Sequence, residues 1–541
     1  MPLVAEGWGW RHAGRRGWAV RDVSFTIGDG ERVLLLGASG AGKSTLMHAL
    51  AGVLGGAAEG EEAGRLLVDG RHPTRMHGHV GLVMQDPDTQ VVLARVGDEV
   101  AFGCENLAVP RDEIWPRVRD ALDAVGLDVS LDRPTTALSG GQKQRLTIAG
   151  ALAMRAQVLL LDEPTANLDP EGAREVRGVV DSLVRERGTT LVVVEHRVEL
   201  WADLVDRVIV LAPGGGILAD GSPDRVFAEH RDALLVAGVW VPGTPLPDAR
   251  DRLSVVSNTA APGASTGSAV VAEPLPGASI VAGSLRGNAS TAAEPVEASP
   301  VANFLHTENL TIGHSPDHPV QHDVNVAIPA GRSTMITGPN GAGKSTLALT
   351  LAGLLPKLDG RVVADQGLWP SPTVKLGRWS RRRRIDRTDP GSWASRDLLT
   401  RVGTVFQSPE HQFVATTVRD ELAVGLRALA GTDPSWTPQR IDARTDELLA
   451  ILHLGGIAGA NPFTLSGGEK RRLSVGTVLA TAPRVIFLDE PTFGQDRNTW
   501  LDMVELVRSM LADGRAVVSI THDADFIATL GEHHIRLEPQ P

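Results

Sequence analysis

Two lysines close glycine-rich loops of the same form. One loop is Gly37-Ala38-Ser39-Gly40-Ala41-Gly42-Lys43-Ser44-Thr45, the other Gly338-Pro339-Asn340-Gly341-Ala342-Gly343-Lys344-Ser345-Thr346. Glycines in a G-x-x-x-x-G-K-S loop accept positive φ, so backbone N–H groups can converge on phosphate oxygens. The helix that follows points its positive end at the same anions. Lys43 and Lys344 would then reach the β and γ phosphates of a nucleotide, and Ser44 and Ser345 would ligate Mg²⁺. Later in each copy an apolar run ends in Asp162-Glu163 and in Asp489-Glu490. An ionised carboxylate ending a buried strand is costly unless a cation neutralises it, a role Mg²⁺ fills for Asp162 and Asp489. Glu163 and Glu490 are placed to polarise an attacking water as general bases.

A third element, Leu138-Ser139-Gly140-Gly141-Gln142 and Leu465-Ser466-Gly467-Gly468-Glu469, precedes each acid pair. Its serine lies 24 residues before the glutamate in both copies. A single such loop arises by chance, but three linked elements repeated in order at matched spacing imply two sites of nucleotide hydrolysis.

The elements that must hold these residues follow from apolar runs alternating with helical patterns, the sign of a parallel α/β core. Strands are expected over 32–36, 158–161 and 190–194, and again over 333–337, 485–488 and 516–520. Runs apolar on both faces belong inside a sheet covered by helices, with ligands at the carboxyl ends of the strands. At 541 residues the chain exceeds what one core supports, and the repeat divides it into domains over 1–242 and 303–541. Residues 243–302 are rich in Ala, Pro, Ser and Gly and read as a flexible linker. A coil of about 60 residues spans on the order of 40–45 Å, long enough to let two domains face each other.

The net charge of −12 argues against a globally basic nucleic-acid binder, and no nucleic-acid partner is expected. Cys104 is the only cysteine, which excludes internal disulfides and cysteine-rich zinc sites. No run of about 18 apolar residues and no charged-then-apolar leader pattern appears, so any membrane role is expected to come through a partner. The second repeat carries extra chain, 63 residues from Lys344 to Gln407 against 42 from Lys43 to Gln85. The excess includes Trp379-Ser380-Arg381-Arg382-Arg383-Arg384, read as a solvated insertion.

On these motifs both halves resemble nucleotide-binding domains of the ATP-binding-cassette family, over nearly all of the chain except the linker. The resemblance implies a P-loop NTPase fold in each half: a RecA-like parallel core, a small antiparallel β subdomain and a helical signature subdomain. It implies that Ser139-Gly140-Gly141-Gln142 and Ser466-Gly467-Gly468-Glu469 each face the γ-phosphate of ATP held by the opposite domain. Glu469 departs from the commoner Gln. Gln85 and Gln407 match the Q-loop glutamine, which senses Mg²⁺ and the γ-phosphate. His196 and His522, 33 and 32 residues after their glutamates, match the switch histidine. Asp169 and Asp496 match the D-loop aspartate. The position that stacks on adenine, usually aromatic, is assigned to Trp10 in the first half and to His314 in the second. The domains are then expected to pair head to tail around two ATP molecules with Mg²⁺, each P-loop against the other domain's signature.

Around the Q-loops, Gln85-Asp86-Pro87-Asp88-Thr89-Gln90 leads to Val96-Gly97-Asp98-Glu99-Val100-Ala101-Phe102-Gly103. Gln407-Ser408-Pro409-Glu410-His411-Gln412 leads to a matching run at Val418 to Gly425. This pattern looks like the ATPases of energy-coupling-factor importers of vitamins and transition metals. With the tail Ala237-Gly238-Val239-Trp240-Val241-Pro242, it also resembles fused members tied by name to thiamine-precursor uptake. The implied partners are a transmembrane coupling protein and a small membrane substrate-binding protein, at the cytoplasmic face of the membrane. A soluble translation-factor cassette protein is the rival, but its charged helical linker contrasts with the composition of 243–302. Fused sugar-importer ATPases tend to have one degraded site, and DNA-repair cassettes need zinc cysteines absent here.

Overall fold

The computed structural model describes residues 1–246, 302–370 and 386–540, apart from 16, 55, 57, 58 and 167. Of the segment 243–302 read as a linker, residues 247–301 lie outside the described residues, as does the arginine run at 381–384.

Each repeat is built on a sheet whose central strands are buried on both faces. In the first, the order is Val80–Val83, Val158–Asp162, Thr190–Val194, Arg32–Gly37, Arg207–Leu211 and Ile217–Gly221. The first five strands run parallel, and the last returns antiparallel. In the second the order is Val402–Val405, Val485–Asp489, Ala516–Ile520, Ser333–Thr337 and His533–Arg536, all parallel. Val158–Asp162 and Thr190–Val194 are buried at every residue, as their unbroken apolar sequences require. Because the strands are parallel, the P-loop, the Asp-Glu pair and the segment after the third strand emerge at one edge of each sheet.

A smaller antiparallel sheet sits beside each core. The first joins Leu3–His12, Val20–Ile27 and Gly60–Val68; the second joins Asn303–Ser315, His318–Val324, Ala327–Pro329 and Asp359–Ala364. Three helices complete the first repeat's signature region, Val96–Asn106, Arg111–Ala124 and Gly140–Ala153, packed through Val100, Val118, Leu122 and Leu146. Val418–Ala430, Pro438–Ile451 and Gly467–Ala480 repeat the arrangement. Among the described residues no helix is long and apolar enough to cross a membrane.

Candidate nucleotide sites

Local backbone chemistry shapes both P-loops. Gly42 and Gly343 adopt φ of 87° and 85° immediately before the helices Lys43–Leu50 and Lys344–Leu351. A Cβ on Gly42 would lie 2.3 Å from the Ala19 carbonyl oxygen, so both conformation and space require glycine. Lys43 Nζ donates to the carbonyls of Gly37 (2.8 Å) and Ala38 (3.1 Å), and Lys344 to those of Gly338 (2.9 Å) and Pro339 (3.0 Å). Burial lowers the pKa of both lysines against the pull of the acids facing them. Each folded-back ammonium therefore sits in a cradle of oxygen acceptors that phosphate oxygens can replace.

The acids follow the strands Val158–Asp162 and Val485–Asp489. Burial pushes the Asp162 carboxyl up, the nearby Glu163 charge adds to this, and the Ser44 hydroxyl works against it. Asp162 Oδ1 is buried with no hydrogen-bond partner. Burial also raises Asp489, opposed first by the Ser345 hydroxyl. A serine hydroxyl, one carboxylate oxygen and a glutamine amide are hard oxygen donors, and one or two carboxylates plus substrate phosphates is how Mg²⁺ is usually held. The orphaned oxygen of Asp162 fits that cation.

Glu163 and Glu490 both sit in the left-handed region at φ 47°, a conformation non-glycine residues adopt at a cost. Each is held there by its backbone N–H, which donates 2.9 Å to the neighbouring strand at Val194 and Ile520. Their side chains then differ. Glu163 lies 3.2 Å from His196 Nε2 and accepts from Gln85 Nε2 at 2.9 Å. Burial pushes its carboxyl up, but His196 and Lys43 together outweigh burial and hold it below the usual range. Glu490 is 3.8 Å from His522 Nε2, and burial with the Asp489 charge raises it to about 7. Burial, aided by Lys344, drives the His522 imidazole down to about 4.

The signature serines are N-caps. Ser139 and Gln142 form a reciprocal capping box at the start of Gly140–Ala153, and Ser466 with Glu469 does the same for Gly467–Ala480. Glu469 accepts from both the backbone N–H (2.8 Å) and the hydroxyl (2.7 Å) of Ser466. A cavity of about 590 Å³ joins the first P-loop, Gln85, Glu163 and His196 to the second repeat's segment Thr464 to Glu469. The D-loop aspartates cross in both directions. Asp496 caps its own helix at Thr499 N and accepts from Ser39 N, both at 2.8 Å. Asp169 caps at Gly172 N (2.8 Å) and accepts from Asn340 N (3.3 Å).

One sequence-predicted placement needs correction. Trp10 is 2% exposed, packed in the core of the small sheet, with its indole N–H directed to His12 Nδ1 at 3.2 Å. It presents no open face to a nucleotide. His12, the exposed last residue of the same strand, lines the cavity together with Trp18. In the second repeat Ile312 is buried while His314 is exposed, so the pattern of core residue and exposed histidine recurs. Sequence reasoning also missed Arg471, whose buried guanidinium donates to the carbonyls of Phe406, Gln407, Asp489 and Glu490. Its signal is an arginine where the first repeat has Gln144.

Comparison with known proteins agrees with this architecture. The ABC transporter family model matches residues 20–166 and 321–493. The chain is 33% identical over 518 residues to a Bacillus subtilis (strain 168) protein named "Putative HMP/thiamine import ATP-binding protein YkoD", covering 95% of this chain and 85% of that one. It is 35% identical over 535 residues to a Streptomyces avermitilis "Putative ABC transporter ATP-binding protein", covering 96% and 89%. Among solved structures, the archaeal ribosome recycling factor aABCE1, in complex with the ribosomal stalk protein aP1, matches 99% of this chain and 88% of its own at 18% identity and TM-score 0.57. That likeness is one of fold. The chain belongs to the ABC transporter family: it is an ATPase with two fused nucleotide-binding domains, resembling the energy-coupling-factor importer ATPases. It binds and hydrolyses ATP.

Proposed function

We propose that this ATPase powers an energy-coupling-factor importer for a vitamin, vitamin precursor or transition metal. It works at the cytoplasmic face of the membrane with a transmembrane coupling protein and a small substrate-binding membrane protein. The observation that carries this reading is a pair of matching apolar patches beside the Q-loops. Val92 and Phe102 are 63% and 41% exposed in the first repeat; their counterparts Val414 and Val424 are 75% and 39% exposed in the second. In the second repeat these two border an open groove of about 330 Å³ that also includes Leu354 and Phe406. Paired apolar patches of this kind suit a protein partner that contacts both domains. The full-length likeness to a protein named for HMP/thiamine import supports the same class of cargo.

In this reading Lys43 and Lys344 bind the β and γ phosphates, and Glu163 and Glu490 orient and deprotonate the attacking water. His196 and His522 contact the γ-phosphate. Ser44, Asp162 and Gln85 would hold one Mg²⁺, and Ser345, Asp489 and Gln407 the other. When bound, Mg²⁺ neutralises the charge developing on the phosphate oxygens. The signatures at Ser139 and Ser466 present helix N-termini to the γ-phosphate across the domain pair. ATP closes the pair and hydrolysis reopens it, which supplies a two-state element for moving a partner.

Affinity purification of the chain from native membranes, with and without Val92→Asp and Val414→Asp, tests the proposal. Membrane coupling and substrate-binding proteins should co-purify with the unsubstituted chain and be lost from the double variant, with basal ATPase activity retained. Ribosomes in place of membrane proteins would favour the translation-factor alternative.

A further inference from the structure

The first repeat ends in a segment that grips the second repeat's D-loop. The helix Arg231–Val236 stops at Gly238, whose φ of +79° reverses the chain while Val239 N–H closes onto the Leu234 carbonyl at 2.9 Å. Val239 and Val241 beyond the turn are buried in the first repeat's core. Three hydrogen bonds then reach residues flanking Asp496. The Trp240 indole N–H donates to the Gln495 carbonyl at 3.1 Å. Arg497 N–H donates to the Gly238 carbonyl at 2.9 Å. Asn498 Nδ2 donates to the Val236 carbonyl at 3.1 Å. The Trp240 ring stands edge-on to Trp500, 5.7 Å between centroids. Gly238 is tight as well as turned, since a Cβ there would lie 3.1 Å from Asn498 Nδ2 and 3.4 Å from Asp496 Oδ1.

The other D-loop cannot be held in this way. Asp169 is followed by Pro170, which has no N–H, and Glu171 and Ala173 stand where the second repeat has Asn498 and Trp500. The grip is therefore one-sided in sequence. Asp496 is the residue that accepts from Ser39 N in the first P-loop.

We propose that Val236 to Val241 is a positioning element for Asp496, which preorganises the first nucleotide site and leaves the second untouched. Trp240 and Gly238 act through Asp496; Trp240 also borders a cavity of about 310 Å³ with Glu163, His196, Glu490 and His522. The inference rests on the assignment of Ser39 and Asn340 to two separate nucleotide sites.

The test is photolabelling of the full chain with the 8-azido derivative of a non-hydrolysable ATP analogue and Mg²⁺, with labelled peptides assigned by mass spectrometry to 1–246 or 302–540. Trp240→Ala should lower label in the first repeat fivefold or more and leave the second within twofold. Arg497→Pro removes the N–H to Gly238 and places proline at the first position of a helix, which tolerates it. It should give the same one-sided loss and carries the test if Trp240→Ala proves unstable. In an Asp496→Ala background neither change should lower the label further. Equal loss in both repeats, no loss in either, or an additive loss over Asp496→Ala overturns the proposal. Absence of label from either repeat of the unsubstituted chain overturns the two-site assignment, and the proposal with it.

Discussion

Replacing Trp10 and His12 separately tells a core residue from a nucleotide contact. Trp10 is 2% exposed, and Gly60 packs so closely that a Cβ there would lie 2.6 Å from the indole ring. Truncating a buried Trp to Ala costs about 3–5 kcal/mol when the surroundings cannot collapse. In a domain of roughly 240 residues each kcal/mol moves Tm by about 2–4 °C, so Trp10→Ala should lower the first repeat's transition by about 6–20 °C. Its nucleotide affinity, measured where the protein is still folded, should barely change. His12→Ala removes an exposed ring but leaves the buried Trp10 indole N–H without its acceptor, at about 1–3 kcal/mol, so Tm should fall by a smaller amount, about 2–12 °C. As an exposed aromatic ring lining the cavity, His12 is the candidate to stack on the base. Losing that contact is worth about 0.5–1.5 kcal/mol, roughly a two- to tenfold weaker Kd. Calorimetric titration with ATP in a Lys344→Ala background isolates the first site, and differential scanning calorimetry reads stability. If Trp10→Ala weakens ATP more than His12→Ala does while Tm is unchanged, the assignment of Trp10 to the core is wrong.

Glu163→Gln and Glu490→Gln should each trap ATP, and together they should abolish turnover in a phosphate-release assay; full activity in the double variant would refute the general-base roles. Glu469→Gln keeps the capping box that Gln142 forms for Ser139 but removes a negative charge from the first cavity. Relief of a like-charge repulsion of ~1 kcal/mol should tighten ATP at that site about fivefold, and an unchanged or weaker Kd would count against it. His522, held near 4 against an ordinary 6.5, makes nucleotide-free stability pH-dependent. Between these values the unfolded chain takes up a proton that the folded chain refuses, so the contribution is present above 6.5 and lost as pH falls through about 4. A shift of that size corresponds to ~3 kcal/mol, and His522→Gln should flatten the fall in Tm between pH 6.5 and 4.5.

What was legible in the sequence was chemistry written into short stretches of backbone. Gly42 and Gly343 needed positive φ, and strands 158–161 and 485–488 were apolar on both faces. Each signal reports on residues within a few positions of itself. Trp10 escaped because alternation gives the face of a strand but not how far the core extends along it. Trp8, Trp10 and His12 share a side, yet the first two are covered and the third lies beyond cover. Arg471 escaped because a cation on a polar helix face reads as solvated, whereas four carbonyls from the Q-loop strand and the Asp489-Glu490 turn surround it. The grip of Trp240 on Gln495 joins residues 255 positions apart, and no local pattern encodes it.

The two repeats have kept their backbone devices and diverged in the side chains around them. Both glutamates stand at φ 47°, but Glu163 pairs with His196 at 3.2 Å while Glu490 and His522 stand 3.8 Å apart. Behind His196 lies Glu195, buried and bonded to Thr165; the second repeat has Thr521 in its place. At neutral pH the first glutamate is a carboxylate, whereas the second, at about 7, is divided between its two forms before nucleotide arrives. A general base must be ionised to accept a proton, and Lys344 alone does not outweigh burial and Asp489. The second site therefore depends on the charge that arrives with the nucleotide to complete what the first site already has. Replacing His522 with a residue that cannot titrate leaves that dependence intact, because burial and Asp489 are what raise Glu490. Asp489→Asn should therefore lower the Glu490 pKa in the nucleotide-free chain, while Asp162→Asn should leave Glu163 a carboxylate at neutral pH. Carboxyl titration followed by isotope-edited infrared spectroscopy distinguishes the two, and equal behaviour of the pair would show that the side-chain divergence has no electrostatic consequence.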